Sequence, residues 1–282
     1  MSTPAPLRVA ACQLGSGPDP EANLLAAEDV LDAAARQGAR LAVLPEAVDF
    51  MGPAEDAAAV AAPLDGVFAA RMAAKAVAHD MWILAGSLHE RSPGTDRMAN
   101  TAQLFAPDGE RVGVYRKMHL FDVELDNGFS YRESDTVRPG DDLLLSDIDG
   151  VPTGAAICYD LRFPELFRIY ALAGARLLAL PAAFTHHTGA AHWELLLRAR
   201  AVENQCFVVA AGQIGPYAPN GHSFGHSMII DPWGTVLACA PDRPGTLAVA
   251  DLDFGYQDDV RVRVPSLANR RNDVYELRKL HV

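Results

Sequence analysis

Between Leu7 and Pro45 the chain spells out a β-α-β unit, and that unit limits the fold more than any other feature. Leu7–Leu14 is a short apolar run of β type. Asp19-Pro20 has the form of a helix N-cap followed by proline at the first helical position, where its missing N–H is no loss. Leu24, Ala27, Leu31 and Ala34 then recur at helical spacing along one face, and Gly38 supplies the stop. Arg40–Leu44 reads as a buried strand closed by Pro45. The alternation continues. A helix near Val67–His79 leads to a strand at Trp82–Ser87, and strands at Thr101–Phe105 and Val112–Arg116 flank the turn Pro107-Asp108-Gly109. In the second half a strand at Thr153–Ile157 precedes a helix from Pro164 to about Ala173 and a strand at Leu177–Leu180. An amphipathic helix over His192–Asn204, a strand at Cys206–Ala211, a hairpin turning at Asp231-Pro232-Trp233-Gly234 and a strand at Thr246–Leu252 complete the pattern. Such alternation predicts mixed sheets covered by helices, an α/β sandwich. No linker interrupts it, so residues 1–282 read as one domain.

One internal echo serves as a control. Gly38–Ala47 and Gly174–Ala183 agree at seven of ten positions, both reading as helix stop, buried strand and proline terminator. The fold is expected to contain two related halves. Where the first copy has Glu46, the second has Ala182. A scaffold that accepts alanine there does not need a charge at the end of a buried strand, so Glu46 points to chemistry.

Composition removes several function classes. Half the residues are hydrophobic, enough for a large core. The formal net charge is −12 with both signs mixed throughout, and no Lys/Arg stripe suits a phosphate backbone, which argues against nucleic acid. The start of the chain lacks the basic and long apolar stretches of a signal peptide. The longest apolar region, Leu166–Phe184, is broken by Arg168, Arg176 and Pro181, so no membrane partner is expected. Cys12, Cys158, Cys206 and Cys239 are widely separated with no CxxC pair; they read as reduced thiols in a cytoplasmic protein.

Three residues stand where chemistry is done. Cys158 lies between the apolar run Gly154–Ile157 and Pro164, in a strand-to-helix bend that exposes a side chain and aims free N–H groups at it. A thiol there is either a nucleophile or a buried structural thiol, the reading that suits Cys12, Cys206 and Cys239 inside their strands. Lys117 ends a strand; it reads as a solvated lysine or as an ammonium that holds an oxyanion. Glu46 ends another, at the strand edge where α/β sheets bind ligands, and is a candidate base or a solvated acid.

The stretches around these residues, Leu44-Pro45-Glu46, Tyr115–Leu120 and Cys158–Glu165, resemble the nitrilase superfamily of carbon–nitrogen hydrolases. Ala191–Glu194, Arg198–Glu203, Gly225–Met228 and Asp231–Gly234 extend the likeness to its Nit amidase branch, in the family's order and over nearly the whole chain. The resemblance implies an αββα sandwich paired into a homodimer or larger symmetric assembly, with the helices Pro164–Ala173 and His192–Asn204 facing each other across the two-fold axis. It implies that Glu46, Lys117 and Cys158 are the catalytic triad, that Glu133, in Tyr131-Arg132-Glu133-Ser134, holds Lys117, and that no metal or organic cofactor takes part. Tyr159 would add its backbone N–H to the oxyanion site, while Arg162, Phe184 and Thr188 match residues lining the acyl pocket. Arg162 suits a substrate carboxylate; its ordinary alternative is a salt bridge to Asp160 or Glu165. The implied substrate is a small-molecule amide. The wording of Leu44–Phe50 and Gln205–Ala211 is nearest to the branch acting on ω-amides of 2-oxo acids, deaminated glutathione included; a nitrile or a general aliphatic amide is the alternative.

Other classes fit less well. Gly221-His222-Ser223-Phe224-Gly225 spells the GxSxG pattern of serine hydrolases, but a loop precedes it and a strand follows, where that elbow needs strand then helix. His186, His187 and His192 lack metal-ligand spacing. A binding module on the same fold would not need all four catalytic positions intact.

Overall fold

The computed structural model describes residues 3–91, 94–124, 130–217, 219–275 and 277. Two mixed sheets stack face to face and helices cover their outer faces, giving an αββα sandwich. The first sheet runs Thr246–Leu252, Leu7–Gln13, Leu41–Val43, Trp82–Leu84, Ala99–Phe105 and Leu88–Glu90, with Arg111–Arg116 also paired to Ala99–Phe105. The second runs Val236–Cys239, Met228–Ile230, Phe207–Gly212, Leu177–Ala182, Val151–Ala155 and Leu144–Ile148.

Strand alternation explains the layering. On Leu7–Gln13, Val9 and Ala11 face the inner core between the sheets, while Ala10 and Cys12 face the outer one with Leu24, Ala27, Leu31 and Ala34 of helix Pro20–Arg36. That helix starts as its sequence predicts: the Asp19 carboxylate accepts from the N–H groups of Glu21 and Ala22. Helix Val67–His79 shares the outer layer. On the far side, Phe167 of helix Pro164–Leu172 and Trp193 and Leu197 of helix His186–Asn204 pack on the second sheet.

The internal echo has a structural meaning. Leu41–Val43 and Leu177–Ala182 are each the middle of three parallel strands, with Leu41 between Val9 and Trp82 and Leu177 between Thr153 and Phe207. Antiparallel strands flank each trio.

Several boundaries differ from expectation. The predicted strand Trp82–Ser87 ends at Leu84; the chain turns at Gly86, whose φ is +61°, and a separate strand, Leu88–Glu90, follows. A Cβ at Gly86 would stand 2.0 Å from the Pro45 carbonyl oxygen, so only glycine lets the two turns pass. The long second helix begins at His186 rather than His192, because the Thr185 side chain caps it by accepting from the N–H of Thr188. Strand Leu144–Ile148 and helix Phe254–Arg263 had no sequence expectation.

Candidate active site

Strand ends of both sheets open on one cavity of about 530 Å³, and all eight candidate residues line it: Glu46, Lys117, Glu133, Cys158, Tyr159, Arg162, Phe184 and Thr188. Glu46 follows strand Leu41–Val43, held in place by a bond from Gln213 Nε2 to its carbonyl (2.8 Å). Lys117 follows strand Arg111–Arg116. The readings of both as solvated strand-end charges fail, since Lys117 is 2% and Glu46 5% exposed. Lys117 Nζ donates to Glu46 Oε1 at 2.9 Å and to Glu133 Oε2 at 2.8 Å. Burial opposes the ammonium, but the carboxylates of Glu133 and Glu46 outweigh it and hold its pKa well above the ordinary lysine value. The ammonium form of Lys117 is thereby favoured.

Cys158 opens a short 3₁₀ turn, Cys158–Arg162, between strand Val151–Ala155 and helix Pro164–Leu172. Its φ of +49° lies in the left-handed region, strain that a non-glycine residue keeps only where its surroundings enforce it. Burial first, then the negative charge of Glu46, pushes the thiol well above its ordinary pKa, against the pull of Lys117 and the Ala183 N–H. The shift favours the neutral thiol, hydrogen-bonded to the Glu46 carboxylate. The leading N–H groups of the turn, Tyr159 among them, have no partner within it by geometry.

Behind the turn lies a residue that sequence reasoning considered only as a partner for Arg162. Asp160 is fully buried and accepts four bonds: from the Ile157 N–H (2.8 Å), Tyr115 Oη (2.7 Å), the His119 N–H (3.0 Å) and His119 Nδ1 (2.7 Å). Ile157 precedes Cys158, while Tyr115 and His119 bracket Lys117, so one carboxylate ties the two reactive segments together. Arg162 consequently does not pair with Asp160 or Glu165. Its guanidinium lies 5.7 Å from the Tyr159 ring centre and 5.4 Å from that of Phe184, with His192 Nδ1 3.4 Å from Nη1. Asn100 was missed as well: its Nδ2 donates to Glu46 Oε1 at 2.8 Å and Glu133 Oε1 at 3.2 Å. The only available signal for either residue was a polar side chain beside an apolar strand.

The remaining candidates fall into place. Ser223 is buried within strand Gly221–Phe224, with no helix following, which removes the serine elbow. Cys12 and Cys206 are buried as expected, whereas Cys239 is exposed on an edge strand. No cluster of three or more His, Cys, Asp and Glu able to hold a metal occurs among the described residues.

Comparison with known proteins agrees with this geometry. Residues 8–262 match the family model described as carbon-nitrogen hydrolase. The chain is 43% identical to a deaminated glutathione amidase of Synechocystis, over 94% of this chain and 98% of that protein. It is 42% identical to the Bos taurus protein of that name, over 95% and 83% respectively. Among solved structures, the Caenorhabditis elegans NitFhit protein superposes with a TM-score of 0.92 at 38% identity, covering 98% of this chain and 68% of that one. Saccharomyces cerevisiae Nit3, a member of branch 10 of the nitrilase superfamily, gives 0.85 at 31% identity, covering 96% and 98%. An amidase from Nesterenkonia sp. AN1, with acrylamide added at its active-site cysteine, gives 0.80 at 28% identity, covering 95% and 98%. A buried acid–lysine–thiol constellation on an αββα scaffold, with relatives of this kind along nearly its whole length, leaves one conclusion: this chain is an amidohydrolase that belongs to the carbon–nitrogen hydrolase family of the nitrilase superfamily.

Proposed function

We propose that this enzyme hydrolyses the ω-amide of a 2-oxo dicarboxylic acid, of the deaminated glutathione type, through a thioester on Cys158. The supporting observation is the single hydrogen-bonded cluster of Cys158, Glu46 and Lys117 on the wall of one cavity. Glu46 takes the thiol proton as Sγ attacks the amide carbon. Two of the three Lys117 N–H bonds are already committed to Glu46 and Glu133, so the third, with the Tyr159 N–H, is available for the oxyanion. Glu46 then gives the proton to the leaving nitrogen, the C–N bond breaks and the thioester remains. Water attacks that thioester, losing a proton to Glu46, which returns it to sulfur as the carboxylic acid departs. Every step is a proton transfer or acyl transfer, so the scheme uses no cofactor.

Substrate class rests on Arg162. Its guanidinium is on the cavity wall with no acidic partner among the described residues, suited to a carboxylate at the far end of the acyl group, beside Phe184 and Thr188. We further propose a two-fold homodimer in the cytoplasm. Leu195 and Val202 are exposed apolar residues on helix His186–Asn204, and Trp233 and Leu237 are exposed as well; apolar surface of this kind is what an isologous pair buries. Light scattering is expected to give twice the chain mass of 30.2 kDa. Four free cysteines suit a reducing compartment.

The test of the reaction is intact-mass analysis with a slow amide, expected to show an acyl adduct on the Cys158 peptide. Cys158→Ala should lose turnover, while Cys12→Ala, Cys206→Ala and Cys239→Ala keep it. An active Cys158→Ala enzyme sinks the mechanism. A panel of amides and nitriles, read by ammonia or amine release, tests the substrate class; selectivity for nitriles overturns it.

A further inference from the structure

Two carboxylates and one ammonium meet almost wholly buried, and the ammonium alone does not fix how the carboxylates are turned. Lys117 Nζ is a rotatable point donor that reaches one oxygen of each glutamate. Glu133 is anchored a second time through Oε2 by the Phe121 N–H at 2.7 Å. The side chain of Glu46 has no such backbone anchor in the described structure. What it has is Asn100, which supplies one N–H to Glu46 Oε1 and the other to Glu133 Oε1.

The orientation of the Asn100 amide is settled by its partners, because the flipped form would set Oδ1 against two carboxylate oxygens. The remaining atom is informative. Oδ1 is buried and has no hydrogen-bond partner among the described residues. Leaving such an oxygen unpaired is unfavourable, so the amide is kept for what its NH₂ does, which is to donate to the two carboxylates. The backbone adds a further constraint. The Asn100 carbonyl accepts from the Lys117 N–H at 2.9 Å, and Asn100 pairs across the ladder with His89, another cavity residue. Asn100 thus stands on a rigid strand with main chain and side chain both directed at the charged cluster.

We infer that Asn100 is the positioning residue of the acid–base step: by occupying Glu46 Oε1 together with Lys117, it presents Oε2 as the one oxygen that carries the proton. The thiol proton, the leaving-group proton and the water proton then pass through the same atom. Asn100 touches no reacting atom; it acts through Glu46. The inference rests on Glu46 being the base, as in the proposed function.

The test uses two variants of the full-length enzyme. Asn100→Leu keeps about the same volume and removes both donors; Asn100→Ala removes donors and volume. Each is first checked for an unchanged circular dichroism spectrum and quaternary state. Misplacing a catalytic group by an ångström costs about 10²-fold, so kcat should fall by roughly that factor in both variants while KM stays within about threefold. The loss should appear in single-turnover acylation and again in decay of the thioester made from an ester substrate, because one oxygen serves both. A residue that merely fills space gives a different order: Asn100→Leu near wild type and only Asn100→Ala impaired. That order, or a loss carried by KM alone, overturns the inference. Glu46→Gln is run alongside. If it retains amide turnover, the fault lies in the proposed base; if it is dead and Asn100→Leu is fully active, the fault lies in the role given to Asn100.

Discussion

Replacing Asp160 by asparagine tests the idea that one buried carboxylate joins the cysteine turn to the lysine strand. Asp160 has no exposed surface and uses both oxygens twice, Oδ2 for the Ile157 N–H and Tyr115 Oη, Oδ1 for the two nitrogens of His119. Asparagine keeps the shape but has one acceptor oxygen. In either orientation its NH₂ faces one obligate donor, the Ile157 or the His119 N–H, and one group able to turn acceptor, Tyr115 Oη or His119 Nδ1, so one buried hydrogen bond is lost outright and its companion has to reverse direction. With one unsatisfied donor at about 1–3 kcal/mol and the other bonds no longer made to a charged acceptor, the variant should lose roughly 2–4 kcal/mol. For a chain of this size each kcal/mol moves the melting temperature by about 2–4 °C, so a fall of roughly 4–16 °C is expected by calorimetry. Activity should fall further than the folded fraction does, because the affected bonds are those that fix the segments on either side of Cys158 and Lys117. A variant melting within about 2 °C of the parent with unchanged kcat would show that the four bonds do not carry this load.

Two further outcomes follow from particular residues. Gly86→Ala forces a Cβ to 2.0 Å from the Pro45 carbonyl at a φ of +61°, next to the turn that delivers Glu46; it should cost roughly 3 kcal/mol or more and depress kcat, and a neutral effect in denaturant titration would refute the close approach. The buried Cys12 thiol is pushed up to about 12 by burial, from 9.0, so above pH 9 the unfolded chain loses a proton that the folded chain keeps. Stability from this group is complete below pH 9 and declines by about 1.4 kcal/mol per pH unit until about pH 12, and Cys12→Ala should flatten the alkaline limb of a stability–pH curve by that slope.

The sequence carried the framework because the framework is local. Asp19-Pro20, Gly38 and the apolar spacing of Leu24, Ala27, Leu31 and Ala34 act within a few residues of one another, and helix Pro20–Arg36 begins where they place it. The residues that meet in the cavity were legible through the motifs around Glu46, Lys117 and Cys158, and the contrast of Glu46 with Ala182 singled out the buried acid independently. What escaped was whatever depends on distant strands meeting. Asn100 matters because strand Ala99–Phe105 starts two residues earlier than its apolar run and brings the amide between Glu46 and Glu133. Asp160 looked like a salt-bridge partner for its neighbour Arg162, yet its donors come from strand Arg111–Arg116 and the residues just past it. The early start at His186 was hidden because Thr185 caps through its own side chain in an otherwise polar stretch.

Glu46 and Lys117 hang from the first sheet, Cys158 and the Ala183 N–H from the second, and Gln213 pins the layers by bonding the carbonyl of Glu46 from beyond the end of strand Phe207–Gly212. The cluster therefore behaves as a caliper laid across the seam. Ladder hydrogen bonds hold each sheet internally, whereas between the sheets apolar packing is joined by only a few directional ties, such as Gln213 to Glu46, Ser227 to Gln13 and Tyr115 to Asp160. A slip of a fraction of an ångström along that seam leaves both ladders whole and pulls sulfur away from its carboxylate. In such a molecule the first property lost under stress is alignment, and turnover is a more sensitive gauge of how the two layers sit than any measure of folded content.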